Sequence, residues 1–370
     1  MSLSILFESI RKPTLLIDRE KTQENIRRMA EKARLAGARF RPHFKTHQSA
    51  QIGEWFRPYG VSAITVSSVD MALYFAAHDW RDITIAFPVN IRQVQEINDL
   101  AQRVHLGLLV ESVAAVRRLN ECLTGAVDIW LKIDAGNRRT GIHWERLEEA
   151  ADVAQAVMEA PLLRLRGLLT HAGHTYGAGS LERVCQIYAE TRQRLDDLRR
   201  ALAARGLPPL EISVGDTPAC SRCPDLSGVD ELRPGNFVFF DAEQVEFNSC
   251  GWEDVAAAVA CPVVALHPER EKAVIYGGAI HLSKDFYQRG EQRCYGLVCL
   301  PEGSRWGAPL EGAMVSGLSQ EHGVIHLPAA HRHKLNIGDL VCVLPAHSCL
   351  TVQVMKEYLS LDGETITTLN

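Results

Sequence analysis

The sequence predicts an α/β protein: a (β/α)8 TIM-type barrel followed by a C-terminal, mostly antiparallel β domain. Three observations carry that prediction. Short strands, most of them apolar on both faces, alternate with longer amphipathic stretches between residues 39 and 240, the pattern of a parallel sheet whose strands are joined through helices. Eight such strands close most economically as a barrel, and no G-x-G-x-x-G follows the first of them to favour an open doubly wound sheet. From about residue 246 the chain turns to short segments punctuated by Gly and Pro, without long helical periodicity.

Taken in order, the barrel strands are expected at 39–45, 62–66, 83–87, 105–110, 127–133, 164–171, 210–214 and 231–240, and the helices near 20–36, 47–58, 68–78, 92–102, 112–123, 143–158 and 180–204. The β domain should hold strands at 255–266, 272–276, 293–299, 312–316, 323–327, 340–344 and 350–357. Its expected limits are 246–370, joined by 1–19, with the barrel over 20–245.

At 370 residues, 46% hydrophobic and 23% charged, the composition is that of a folded soluble chain. A net charge of -5 gives no reason to expect nucleic acid as a partner. No apolar run is long enough to span a bilayer, so no membrane association is expected. The opening MSLSILFESIRKPT has no signal-peptide core or cleavage site. Ten cysteines without a regular framework suggest reduced thiols and a cytoplasmic protein. Cys220 and Cys223 form a lone C-x-x-C between Pro218 and Pro224, read as structural because no second pair stands at zinc-finger spacing.

Barrel chemistry collects at the C-terminal ends of the strands. The first strand leads into Arg41-Pro42-His43-Phe44-Lys45-Thr46-His47. If that run is extended, Arg41, His43, Lys45 and His47 share one face, and four cations there cost desolvation unless they meet an anion or a cofactor. The fifth strand runs into Lys132-Ile133-Asp134-Ala135-Gly136-Asn137-Arg138-Arg139-Thr140-Gly141, and the sixth ends in Thr170-His171-Ala172-Gly173-His174-Thr175-Tyr176. After the seventh come Gly215-Asp216-Thr217, and within the eighth Arg233-Pro234-Gly235-Asn236. Those last two loops are where barrels hold a phosphate, and Gly215, Thr217 and Gly235 are small enough to let an anion approach. Near the C-terminus, His347 and Cys349 stand two apart. On a strand they would point the same way and form half of a tetrahedral zinc site, with two positions left for water or substrate.

The order of these segments resembles the fold-type III pyridoxal-phosphate enzymes, the alanine racemase-like barrels, over essentially the whole chain. The resemblance implies that Lys45 is the Schiff-base lysine, that Arg139 lies near the pyridine 3-oxygen, that His171 packs against the ring, and that Arg233 faces the pyridine nitrogen. It implies a phosphate held by Gly215, Asp216, Thr217, Gly235 and Asn236. The His347–Cys349 segment resembles the metal-ligating motif of the D-serine dehydratase and D-threonine aldolase subfamily. The aldolases carry a carboxylate where Cys349 stands, and a thiolate favours zinc over manganese, with manganese or another divalent metal as the alternative. The racemases' second-base tyrosine has no match in the β domain.

The expected function is therefore a pyridoxal-phosphate- and metal-dependent lyase acting on a small amino-acid substrate, a β-hydroxy D-amino acid. A dehydratase releases a keto acid and ammonia; an aldolase would release glycine and an aldehyde. A racemase is the third possibility, and a non-catalytic cofactor carrier shares the barrel but not the β domain. His171, His174 and Tyr176 are candidates for ring packing and proton transfer. The resemblance also implies a homodimer. His281, Lys284, Asp285, Glu321 and His322 form polar clusters in turns to which the sequence assigns no role.

Overall fold

The computed structural model describes residues 5–369, which divide into two compact units, one of residues 27–45 and 56–235, the other of 5–26, 46–55 and 236–369.

The first unit is the barrel. Its eight parallel strands are Arg39–Phe40, Ala63–Val66, Asp82–Pro88, His105–Val110, Val127–Asp134, Leu163–Leu169, Glu211–Val214 and Glu231–Leu232, each beside the next, with the last against the first. A parallel bridge between His43 and Thr65 joins the first strand's continuation to the second and brings the ring round. Helices Val69–Ala77, Val94–Ala101, Val113–Cys122, Leu147–Glu159 and Leu181–Ala203 follow the strands that the periodicity assigned to them. Ser68, Ser112 and Ser180 cap three of them, each accepting the N–H three residues on, which satisfies a donor that the helix itself leaves open. Inside, Leu109, Trp130 and Leu169 pack together with Ala86.

The first and last strands are much shorter than expected. Residues 44–47 turn instead of extending, and 236–238 form a single 3-10 turn. Phe44 makes the first of these turns: it is buried, and its ring lies 4.9 Å from Phe56, 5.0 Å from Phe75 and 4.9 Å from Trp80. Aromatic packing thus outweighs the extended tendency of the run.

In the second unit, Lys272–Tyr276, His322–His326, Arg305–Leu318, Gly296–Glu302, Leu340–Pro345 and Ala257–His267 pair in that order, and the last pairs back on the first. Thr14–Ile17 joins through Ala257 to Ala260 and continues in parallel to Glu357–Ser360. One expected strand is not there: 350–357 is mostly the helix Ser348–Met355, with only Glu357 beginning a strand. The β-branched Thr351 and Val352 are both buried there, so burial, and not local propensity, sets their conformation.

Cysteine pairing also departs from expectation. Cys185, on the helix Leu181–Ala203, is disulfide-bonded to Cys223. The ten cysteines are therefore not all reduced thiols, and Cys220 of the C-x-x-C is free and buried. No helix among the described residues is long and apolar enough to cross a membrane.

His47 gives the fold a pH dependence. It is fully buried, its Nδ1 accepts the Ser49 N–H at 3.2 Å, and its carbonyl accepts the Tyr358 hydroxyl at 2.6 Å. Burial pushes its imidazole down to about 3 from 6.5. The unfolded chain takes up a proton that the folded chain refuses, so stability present above pH 6.5 is lost as pH falls, by about 1.4 kcal/mol per unit. Urea unfolding at pH 7.5 and pH 5 checks this: the stability gap between wild type and His47→Leu should narrow by about 2 kcal/mol at the lower pH.

Candidate active site

Lys45 lies in the turn after the first barrel strand, exposed, with its backbone N–H donating to His43 Nδ1 at 3.3 Å. Its buried neighbour Phe44 anchors that turn. The expected row of four cations on one face does not form, because the chain leaves the extended conformation after His43. Arg41 is buried and meets Glu231 at 2.6 Å and Asp82 at 2.6 Å. Carboxylates thus answer its desolvation cost, and His47 is buried in the other unit.

His171 donates from Nδ1 to the Gly215 carbonyl at 2.8 Å, which fixes the ring's plane and leaves Nε2 as its other face. Burial pushes its imidazole down to about 3, with the positive charges of Lys45, Arg139 and Arg233 acting in the same direction. The structure therefore brings these four residues into one electrostatic neighbourhood. Tyr176 joins them, its ring centroid 6.2 Å from that of His171. His174 turns elsewhere: a Cβ added at Gly136 would stand 3.3 Å from its Nε2 and 3.1 Å from Arg194.

Gly215 allows no side chain, since an added Cβ would lie 2.5 Å from the Arg233 carbonyl carbon. Asp216 is spent on structure. It caps the short helix Thr217–Arg222, accepting the Ala219 N–H at 2.9 Å and the Thr175 hydroxyl at 2.8 Å, and burial pushes its carboxyl up to about 6. The next side chain differs: Thr217 Oγ1 is buried and has no hydrogen-bond partner among the described residues. Arg233 is buried and held by Ser213 and by the Thr170 carbonyl. Asn236 falls in the other unit, where its amide donates to Asp241 and to Ser348 Oγ at 3.1 Å, with Cys349 Sγ 3.8 Å away.

The C-terminal pair sits at a helix start and not on a strand. His347 is the N-cap of Ser348–Met355, and Cys349 lies in its first turn. Their side chains still meet. The Asp285 carboxylate takes the His347 Nδ1–H at 2.8 Å. Burial works against charge on His347, but the Cys349 sulfur, and then Asp285, outweigh it and raise the imidazole well above its ordinary range. Cys349 is itself buried, with Sγ 3.3 Å from the hydroxyl of Thr46, the residue that follows Lys45. Among the described residues no group of three His, Cys, Asp or Glu is gathered for a metal.

Sequence reasoning left Asp285 without a role and passed over Lys132 as a site residue. Lys132 is buried, donates to its neighbour's carbonyl at 3.0 Å, and is pushed down to about 8 by burial, Arg233 and Arg139. Its place in the motif that leads to Arg139 was the available signal. His281, Glu321 and Tyr276 stand together: the Tyr276 and His281 rings are 5.4 Å apart, His281 Nδ1 accepts the Gly278 N–H, and the Glu321 carboxylate acts on the imidazole.

Comparison with known proteins bears on both units. Residues 17–243 match the alanine racemase N-terminal domain, and residues 256–361 match a serine dehydratase domain. The chain belongs to the alanine racemase-like pyridoxal-phosphate enzymes. Its full-length curated relatives named as dehydratases and aldolases are lyases, as it is itself. It is 30% identical to D-threo-3-hydroxyaspartate dehydratase of Delftia sp. (strain HT23), over 95% of this chain and 94% of that protein. The solved structure of that enzyme superposes with a TM-score of 0.90, covering 97% of this chain and 98% of the other. D-serine dehydratase of Dictyostelium discoideum is 25% identical over 95% of this chain and 93% of its own. A 3-hydroxy-D-aspartate aldolase of Paracoccus denitrificans (strain Pd 1222) is 27% identical over 97% of this chain and 91% of its own.

Proposed function

We propose that this lyase eliminates water from a β-hydroxy D-amino acid, such as D-serine or a 3-hydroxyaspartate, to give a keto acid and ammonia. The observation that best supports a dehydratase is the His347–Cys349 pair backed by Asp285. A D-threo-3-hydroxyaspartate dehydratase has been solved as a histidine-to-alanine variant and as a metal-free cysteine-to-alanine variant, the two positions spaced as His347 and Cys349 are.

The barrel unit fits pyridoxal phosphate. Lys45 Nζ would hold it, and the unpartnered Thr217 hydroxyl, two residues after the side-chain-intolerant Gly215, suits its phosphate. Arg139, His171, Tyr176 and Arg233 would border the ring. When bound, the cofactor supplies an electron sink for the bond broken at the substrate α-carbon. The donor set of the C-terminal pair, imidazole and thiolate, suits zinc, which would polarise a β-hydroxyl as a Lewis acid.

The chain's own groups divide the remaining work. With its amine free, Lys45 Nζ would take the α-proton. His171 stays neutral at physiological pH, with Nδ1 committed to Gly215, so it orients and packs and does not act as an acid. Tyr176 is the group beside it able to relay a proton; His174, set against Gly136, is less well placed. Asp285 occupies His347 Nδ1, which leaves Nε2 to ligate. The β-hydroxyl leaves as water, and the unsaturated product hydrolyses to keto acid and ammonia. The same reading implies a homodimer, which light scattering of the holoenzyme would show at twice the mass of one chain.

The Paracoccus aldolase favours a second reading, in which a base takes the β-hydroxyl proton and the Cα–Cβ bond breaks. Products decide between them. Incubated with pyridoxal phosphate, zinc and a panel of D- and L-β-hydroxy amino acids, the protein should release keto acid and ammonia in equal amounts from D-substrates. Glycine and an aldehyde would replace this reading with the aldolase.

A further inference from the structure

Glu231 is wholly buried in the barrel and stands at the centre of a chain of polar contacts. One carboxylate oxygen accepts Arg41 Nε at 2.6 Å and Arg39 Nε at 3.2 Å. The other accepts the Ser213 hydroxyl at 2.7 Å. Having donated its proton, Ser213 Oγ accepts Arg233 Nε at 2.6 Å. Arg233 Nη2 donates to the Thr170 carbonyl at 2.6 Å and to the Ser213 carbonyl at 3.3 Å. Arg41, Ser213, Glu231 and Arg233 are each at most 4% exposed.

This is more than a barrel ion pair, because of where its ends lie. Arg41 is four residues before Lys45, and Thr170 immediately precedes His171. Two of the three guanidinium nitrogens of Arg233 are pinned, which fixes the guanidinium plane and commits Nη1 to whatever faces it. A buried guanidinium crowded by other cations is costly without a facing carboxylate, and Glu231, 4.0 Å from Arg233 Nε, offsets that cost through the serine. Burial pushes Arg233 down to about 10, and Glu231 is the main influence opposing that fall.

We propose that Ser213 and Glu231 are positioning residues for the cofactor: together they set the plane of Arg233, offset its buried charge and, through Arg41, tie it to the segment that carries Lys45. The inference rests on the cofactor reading above and extends it to two residues placed behind Arg233 and Arg41.

The test uses the full chain loaded with pyridoxal phosphate. Ser213→Ala removes the relay while leaving the Glu231–Arg41 pair and nearly the same volume. It should raise the cofactor dissociation constant about tenfold and shrink the rise in melting temperature that saturating cofactor gives. It should also change the pH titration of the bound cofactor's visible absorbance, and lower kcat about tenfold with KM within about twofold. In Glu231→Gln, the alkaline limb of that absorbance titration should move to lower pH. If that variant does not fold, Ser213→Ala decides alone. A merely structural role would lower the melting temperature without cofactor and leave the cofactor's increment, affinity and spectrum as in wild type; that result overturns the proposal. A wild-type protein that takes up no pyridoxal phosphate would bring down the cofactor reading itself, and this inference with it.

Discussion

Replacing Lys45 by alanine should lower turnover by about four orders of magnitude and abolish the visible absorbance of bound cofactor. On the proposed mechanism the size follows from two jobs on one atom, since Nζ would both tether pyridoxal phosphate and take the α-proton. The loss should not be a folding effect. The Lys45 side chain is exposed, and the turn around it is held by Phe44 against Phe56, Phe75 and Trp80. Circular dichroism and the melting temperature without cofactor should therefore match wild type. A Lys45→Ala protein that kept wild-type turnover would remove the cofactor from the account altogether.

The second large effect is expected at the C-terminal pair. Cys349→Ala, or chelation of the wild-type protein, should lower dehydration by about two to three orders of magnitude, because hydroxide is a poor leaving group without a Lewis acid. Adding zinc back should restore the chelated wild type and not the variant. Metal analysis supplies the direct check, with about one zinc per wild-type chain and far less in Cys349→Ala. Dehydration that survives both treatments undiminished would dissociate the pair from catalysis.

How much of this was legible in the sequence depends on the distance over which each feature is decided. The six middle barrel strands follow from local periodicity and fall within one or two residues of expectation, from Ala63–Val66 to Glu211–Val214. The first and last do not, because their ends are settled by partners far along the chain. Phe44 meets Phe56, Phe75 and Trp80, and Glu231 meets Arg41 across 190 positions. The helix Ser348–Met355 was missed for the same reason: its β-branched residues read as a strand until their burial is known. His347 and Cys349 drew attention through their spacing on an expected strand and through the family resemblance, whereas the geometry that joins them is a helix start. Asp285 was visible only as a polar residue in a turn, 62 positions from the histidine it orients. The disulfide followed no local rule at all: the C-x-x-C drew attention to Cys220, whereas Cys223 pairs with Cys185 across the neighbouring helix.

The central claim is a division of labour, in which Lys45 moves the α-proton and the His347–Cys349 pair serves departure of the β-hydroxyl. Proton NMR of Cys349→Ala, loaded with pyridoxal phosphate and incubated with D-serine in deuterated water, tests it most directly. The account predicts that the α-hydrogen still exchanges with solvent while keto acid and ammonia fall by about two orders of magnitude or more. Exchange and elimination lost together, or elimination persisting at the wild-type rate, would contradict it.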